Sequence, residues 1–215
     1  MINHLNTKIM NIIKKIYFLS TIIFLGVVIS CNDKDETPDP LVAVEIKNFE
    51  APGDVYDYTT NPPVLVIENE MKYFDFSTEM EVTSSGTWDI GMKGTDIITN
   101  GGINGSGGVQ ATTISGIFDN LSEVPQGTTF ASDTETANAI NKNNDFEDRW
   151  YSYAAGIITP VPGKIILIKD SQGNYLKLEI QCYYKDCPTE PTPAVDNGVY
   201  TFRYIYQPNG TMSFD

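Results

Sequence analysis

Few residues in this chain can do chemistry, and a missing one is the most informative. The sole histidine is His4, and none follows it in the remaining chain. That removes Ser-His-Asp and Cys-His catalysis, histidine-ligated zinc and bis-histidine haem. Cys182 and Cys187 lie five residues apart. A turn through Lys185 and Asp186 can bring them within bonding distance, and outside the cytoplasm such a disulfide persists. The alternative is two separate thiols, with Cys182 acting as a small core residue. No further cysteine or histidine stands near to complete a metal site. Asn141, Asn143, Asp145, Glu147 and Asp148 are dense enough to suggest calcium. They lack the EF-hand order, with its central glycine and closing glutamate, and read as a solvated loop. No pair of carboxylates stands out for glycoside hydrolysis, so no catalytic residue is assigned. The aromatics remain. Trp150, Tyr151 and Tyr153 cluster just before Ile157-Ile158-Thr159-Pro160. Most such rings belong to a core, but some can line a flat apolar ligand site, and a tyrosine can ligate haem iron.

The segment preceding these residues is a processing signal. Lys8, Lys14 and Lys15 form a basic region, followed by an apolar run over residues 16–29 that ends in Ser30-Cys31. The run is short and one-sided for a membrane span. A small residue directly before a cysteine resembles the lipobox of bacterial lipoproteins, in which Cys31 carries the lipid anchor. Residues 1–30 are thus expected as signal peptide and 31–40 as a lipidated, disordered tether. Residues 41–215 are expected as a single β domain. Cleavage takes the net charge from −14 to −17, because three lysines leave and no acid does. So acidic a surface repels nucleic acid and anionic lipid, which leaves the lipid anchor as the membrane contact. Lys34-Asp35-Glu36 is either a plain charged linker or an export signal for the outer face of the cell.

The domain reads as mainly β. Residues 88–108, WDIGMKGTDIITNGGINGSGG, read as a strand running into a glycine-rich loop. Trp88, Ile90 and Met92 alternate there with Asp89, Gly91 and Lys93. The loop is either a mobile hairpin tip or the wall of a ligand site, and residues 109–114 can return from it as a partner strand. Further strands are expected at 42–46, 64–67, 73–77, 164–169, 175–184, 200–207 and 211–214. Residues 170–174 form a hairpin turn, and Leu176, Leu178, Ile180 and Cys182 share one face of the strand after it. One short helix is expected from Ser132 or Asp133 through Ile140, stopped by Asn141.

In order, these motifs resemble a known family. The lipobox is followed by Tyr73-Phe74-Asp75-Phe76-Ser77, by Trp88-Asp89-Ile90 with Thr99-Asn100-Gly101-Gly102, and by Trp150-Tyr151-Ser152-Tyr153 before Thr159-Pro160. Then come residues 164–169, Gly173-Asn174-Tyr175-Leu176-Lys177-Leu178 and Phe202-Arg203-Tyr204-Ile205-Tyr206-Gln207. The set is similar to the HmuY family of haem-binding lipoproteins of the Bacteroidetes. The resemblance implies a hand-shaped antiparallel β fold with one or two short helices, holding haem between β finger loops. It implies an outer-membrane lipoprotein, surface-exposed or shed, that captures haem or a related porphyrin for iron acquisition. The cargo would pass to a TonB-dependent outer-membrane receptor, and no bond would be made or broken. Family members hold iron with two axial histidines or methionines. The corresponding region here, residues 128–160, has neither. Tyr151 and Tyr153 are its only plausible donors, so ligation is non-standard or lost. The alternative keeps the fold as a surface scaffold for a protein or glycan partner.

Overall fold

A computed structural model describes residues 40–140, 149–192 and 196–215. The signal segment, Cys31, the tether up to residue 39 and the acidic run 141–148 lie outside the described residues.

Two antiparallel sheets carry the core. The larger is built from β1 (Val44–Glu50), β8 (Gln110–Ser115), β11 (Lys164–Lys169), β12 (Tyr175–Tyr184) and β13 (Asn197–Gln207). Its order is β1-β13-β12-β11-β8. The smaller sheet contains β4 (Lys72–Asp75), β5 (Met80–Val82), β6 (Ile90–Lys93) and β7 (Asp96–Thr99), in the order β5-β4-β6-β7. Two further ribbons pair outside both sheets' ladders. One pairs β2 (Val55–Asp57) with β3 (Val64–Ile67), and the other pairs β9 (Tyr151–Ala154) with β10 (Ile157–Pro160).

Alternation puts Tyr200, Phe202 and Tyr204 of β13 on one face with Leu176, Leu178 and Ile180 of β12. The smaller sheet meets them through edge-to-face ring pairs. Phe74 lies 5.7 Å from Phe49 and 5.5 Å from Phe202, ring to ring, and Phe76 lies 4.8 Å from Tyr204. A fully buried ring of this kind is worth roughly 1.5–3 kcal/mol, so this aromatic seam helps to hold the two sheets together. The opposite face of β11 and β12 is covered as well. Phe118, Val124 and Phe214 pack there on Ile165, Leu167 and Tyr175. Lys177 is trapped beneath them at 3% exposure. It donates to the carbonyls of Phe118 and Leu121, at 2.7 Å each. Burial pulls its pKa down, against the opposing pull of Asp119 and Asp215.

Three expectations are corrected. The strand at residues 88–93 does not pair with residues 109–114. Gly94, at φ +57, lets the chain turn at once, so β6 pairs with β7 while β8 crosses to β11 in the other sheet. The helix expected through Ile140 does not form. Residues 134–137 make a small bridged turn, and the one helical turn among the described residues is the 3-10 turn Phe118–Asn120. The closing strand at residues 211–214 is reduced to a single bridge between Ser213 and Glu123.

The glycine loop after β7 is closed on itself by Asn100. Asn100 Nδ2 donates to the Trp88 carbonyl at 2.9 Å, Oδ1 accepts the Gly107 N–H at 3.0 Å, and the Asn100 carbonyl accepts the Val109 N–H at 3.1 Å. Gly102 has φ +63, and a Cβ there would fall on the Asp133 carbonyl oxygen. The glycines therefore serve close backbone packing within the domain.

Candidate functional site

The turn between β6 and β7 is the root of both ribbons. On one side, Lys93 Nζ lies 2.9 Å from Asp54 Oδ2, just before β2. The Asp54 carboxylate is held below its ordinary range by that lysine and by the Asn69 N–H, and Lys93 is raised in return. Asn69, just after β3, donates its backbone N–H to Asp54 Oδ1 at 2.8 Å and its Nδ2 to the Gly53 carbonyl at 2.7 Å. This clasp closes the foot of the β2–β3 ribbon against the turn. Next along the turn, Gly94 N–H donates to the Ala51 carbonyl at 2.9 Å, and the fully buried Tyr200 hydroxyl donates to the Gly94 carbonyl. One residue further, the Thr95 carbonyl accepts the Trp150 indole N–H at 3.2 Å, directly before β9.

The second ribbon is pinned from below by tyrosines. Tyr184 at the end of β12 accepts the Ile158 N–H on its hydroxyl at 2.9 Å. Trp150 lies 4.9 Å from Tyr151, 5.8 Å from Tyr183 and 5.4 Å from Tyr200, ring to ring. Burial raises the Tyr183 and Tyr200 hydroxyls well above the usual phenol range, so both stay neutral. Ala155 and Gly156, both at positive φ, make the tight reversal between β9 and β10.

What the β2–β3 ribbon presents to solvent is apolar. Val64, Leu65, Val66 and Ile67 are all exposed, as are Val55, Tyr56 and Tyr58. On β9, Tyr151 and Tyr153 share a face by period-2 spacing. They stand opposite Pro160 and Ile158, respectively. Tyr153 is 67% exposed, while Tyr151 is half-buried against Trp150. The Arg149 guanidinium lies 5.8 Å from the centre of the Tyr151 ring. Contiguous exposed apolar side chains of this kind mark interaction sites.

The structure thus brings Tyr151 and Tyr153 together on a solvent-facing ribbon. It places Cys182 in the last stretch of β12 and Cys187 just beyond that strand, both as free thiols. Among the described residues, no cluster of three or more histidine, cysteine or acidic side chains can hold a metal ion. No helix there is long and apolar enough to cross a membrane. Sequence reading missed the β2–β3 ribbon as part of the site. Its signal was the run Val64–Ile67 directly after Pro62-Pro63, four consecutive apolar residues with no alternation. Met71 packs against Gly91 and lines an open hollow with Glu68, Tyr73 and Lys93 at the foot of that ribbon.

Comparison with known families finds one whose model, described as HmuY protein, matches residues 68–204. The chain belongs to the HmuY family. The HmuY match takes in the β6–β7 turn and the β9–β10 ribbon, and it begins just after β3. A comparison with curated proteins finds no match. Among solved structures, a chain described as a lipoprotein from Bacteroides fragilis is 18% identical, with 80% of this chain and 92% of that one covered and a TM-score of 0.44. The apo HmuY analogue of Tannerella forsythia is 14% identical, covers 79% and 96%, and has a TM-score of 0.42. A chain described as an HmuY-like heme-binding protein from Bacteroides vulgatus is 15% identical, covers 78% and 92%, and has a TM-score of 0.46.

Proposed function

We propose that this HmuY-family chain is a carrier of haem or a related porphyrin, and not an enzyme. The observation that carries the reading is an exposed apolar β2–β3 ribbon and the exposed Tyr153 of the β9–β10 ribbon, both rooted on one turn. A porphyrin is a flat apolar plate with charged edges. Tyr56, Tyr58 and Val64–Ile67 on one ribbon, with Tyr153 on the other, offer apolar surface that such a plate can cover. With no histidine after His4, Tyr153 is the iron donor, with Tyr151 beside it, as tyrosine serves in some haem proteins. Arg149 supplies positive charge near the porphyrin carboxylates. Cys31 carries the lipid anchor at the outer membrane, from which the cargo passes to a TonB-dependent receptor.

The test is a titration of the purified protein with ferric and with ferrous haem, read by absorbance. A Soret shift in at least one state is expected, and Tyr153→Phe should remove the tyrosinate-type spectrum while leaving the fold intact. No shift in either state sinks the haem reading. A shift unchanged in both Tyr153→Phe and Tyr151→Phe rejects the tyrosine ligands alone. A second reading, a protein or glycan partner on the same scaffold, is favoured by the β2–β3 ribbon, whose two outer strand edges can add a strand from a partner. That reading predicts no haem-dependent spectrum.

A further inference from the structure

The end of β12 is unusually constrained. Cys182 sits between two register shifts in the β12–β13 ladder. Its thiol points at the Tyr184 carbonyl, 3.5 Å away, and the same carbonyl accepts the Cys187 N–H at 3.1 Å. The two cysteines thus converge on one oxygen. The turn between them is clamped from β1. Asn48 Nδ2 donates to Asp186 Oδ1 at 2.9 Å, and the Asp186 N–H donates back to Asn48 Oδ1 at 2.9 Å. Asn48, Asp186 and Cys187 all have positive φ, at 55°, 58° and 47°. Asn and Asp tolerate that region, but a cysteine there is uncommon and needs its surroundings to hold it.

We infer that Cys182 and Cys187 form a disulfide that locks the end of β12, and with it Tyr184, beneath the β9–β10 ribbon. The inference rests on the export expected from the signal segment and is independent of which ligand the ribbons take. The oxidant is a disulfide-bearing molecule. Cys187 is exposed and lines an open hollow with Glu45, Lys47 and Gln181, so it reacts first. It loses its proton and attacks one sulfur of the oxidant. The oxidant's S–S bond breaks, one thiolate leaves and a mixed disulfide forms. The Cys182 thiolate then attacks Cys187 Sγ and expels the second thiol. The pair gives up two protons and two electrons, and the oxidant's disulfide becomes two thiols. Burial first, and then the Cys182 contact, push the Cys187 thiol up to about 12.

The test uses the full chain carrying Cys31→Ala, whose only cysteines are then Cys182 and Cys187. It is equilibrated with excess oxidised glutathione, without haem. Maleimide labelling under denaturing conditions should find no thiol before reduction and two after it. The oxidised form should melt about 5 °C above the reduced form, as expected for closing so short a loop. Hydrogen exchange at the Ile158 amide should slow by about tenfold or more. Two labelled thiols, or glutathione retained on Cys187, would overturn the inference. Closure that leaves both the melting point and Ile158 exchange unchanged would overturn the locking role. Since haem is absent throughout, failure here is separate from failure of the carrier reading.

Discussion

Asp133 is the residue whose removal should damage the glycine loop most. It is 2% exposed, and its carboxylate takes three donors. Oδ2 accepts the Thr99 N–H at 2.6 Å and Asn104 Nδ2 at 2.9 Å, and Oδ1 accepts the Ala139 N–H at 2.6 Å. Its own carbonyl also accepts the Ile103 N–H at 3.2 Å. In Asp133→Ala, the last bond survives but two buried backbone N–H groups lose their only acceptor. Each orphaned donor costs about 1–3 kcal/mol, so the variant should lose about 3–4 kcal/mol in total. Asp133→Asn keeps one oxygen but turns an amino group toward a backbone donor, and should lose about half as much. Against a usual total of about 5–15 kcal/mol, the alanine loss is large. Urea unfolding, followed by the fluorescence of Trp88 and Trp150, measures both. If Asp133→Ala costs less than about 1 kcal/mol, the carboxylate is not what holds the loop, and the account of residues 99–139 is wrong.

Three further outcomes follow from the same contacts. Gly102→Ala should cost about 3 kcal/mol or more, since its Cβ falls on the Asp133 carbonyl at φ +63. Gly108→Ala, at φ +75 with nothing within 4 Å, should cost only about 1 kcal/mol of backbone strain. Tyr200→Phe should cost about 1–3 kcal/mol by stranding the Gly94 carbonyl, whereas Tyr204→Phe, whose bond to the Phe76 carbonyl is 3.4 Å, should cost under about 1 kcal/mol. Equal losses in chemical denaturation would contradict the assignment of Tyr200 as the tie to the turn. Asp89 gives a pH dependence. Burial holds its carboxyl up at about 7 from an ordinary 3.8, opposed by the Phe76 N–H and aided by Asp75 and Asp170. Between about pH 4 and pH 7 the folded chain keeps a proton that the unfolded chain has lost, so stability falls as pH rises, by roughly 2–4 kcal/mol across the window. Asp89→Asn should flatten that slope, and an unchanged difference between pH 5 and pH 8 in paired melts would refute the shift.

What the sequence made legible was whatever local periodicity determines. Strands β11 and β12 match the expected bounds at both ends, because a branched apolar run, an Asp-Ser-Gln-Gly-Asn turn and an alternating answer leave little choice of register. The partner of residues 88–93 was not legible, since pairing depends on where the chain turns. Gly94-Thr95 is an inconspicuous turn beside a glycine loop that looks like a more obvious one. Asp133 shows a subtler failure. Its capping chemistry was readable, and the carboxylate does accept a following N–H. The acceptance reaches Ala139, six residues on, and so closes a loop where a helix cap would serve a nearer amide.

The candidate site was half legible for a related reason. Apolar residues in a strand announce that something will cover them, but not whether the cover is protein. Tyr153 and Val64–Ile67 follow the same composition rules as Ile165–Ile168, yet the first group is exposed and the second fully buried. A two-stranded ribbon with no face to pack is marginal by itself. The β2–β3 ribbon is held at its foot by the Asp54–Asn69–Lys93 clasp, and at its tip by Asp57, which accepts both the N–H and the hydroxyl of Thr59. Polar fastening at both ends lets the apolar middle stay uncovered without unravelling. Such fastening makes sense where the uncovered stretch must remain shaped but free. That is the requirement of a carrier whose cargo completes its hydrophobic surface, and it places the burden of the haem proposal on the ribbons first and on the iron donor second.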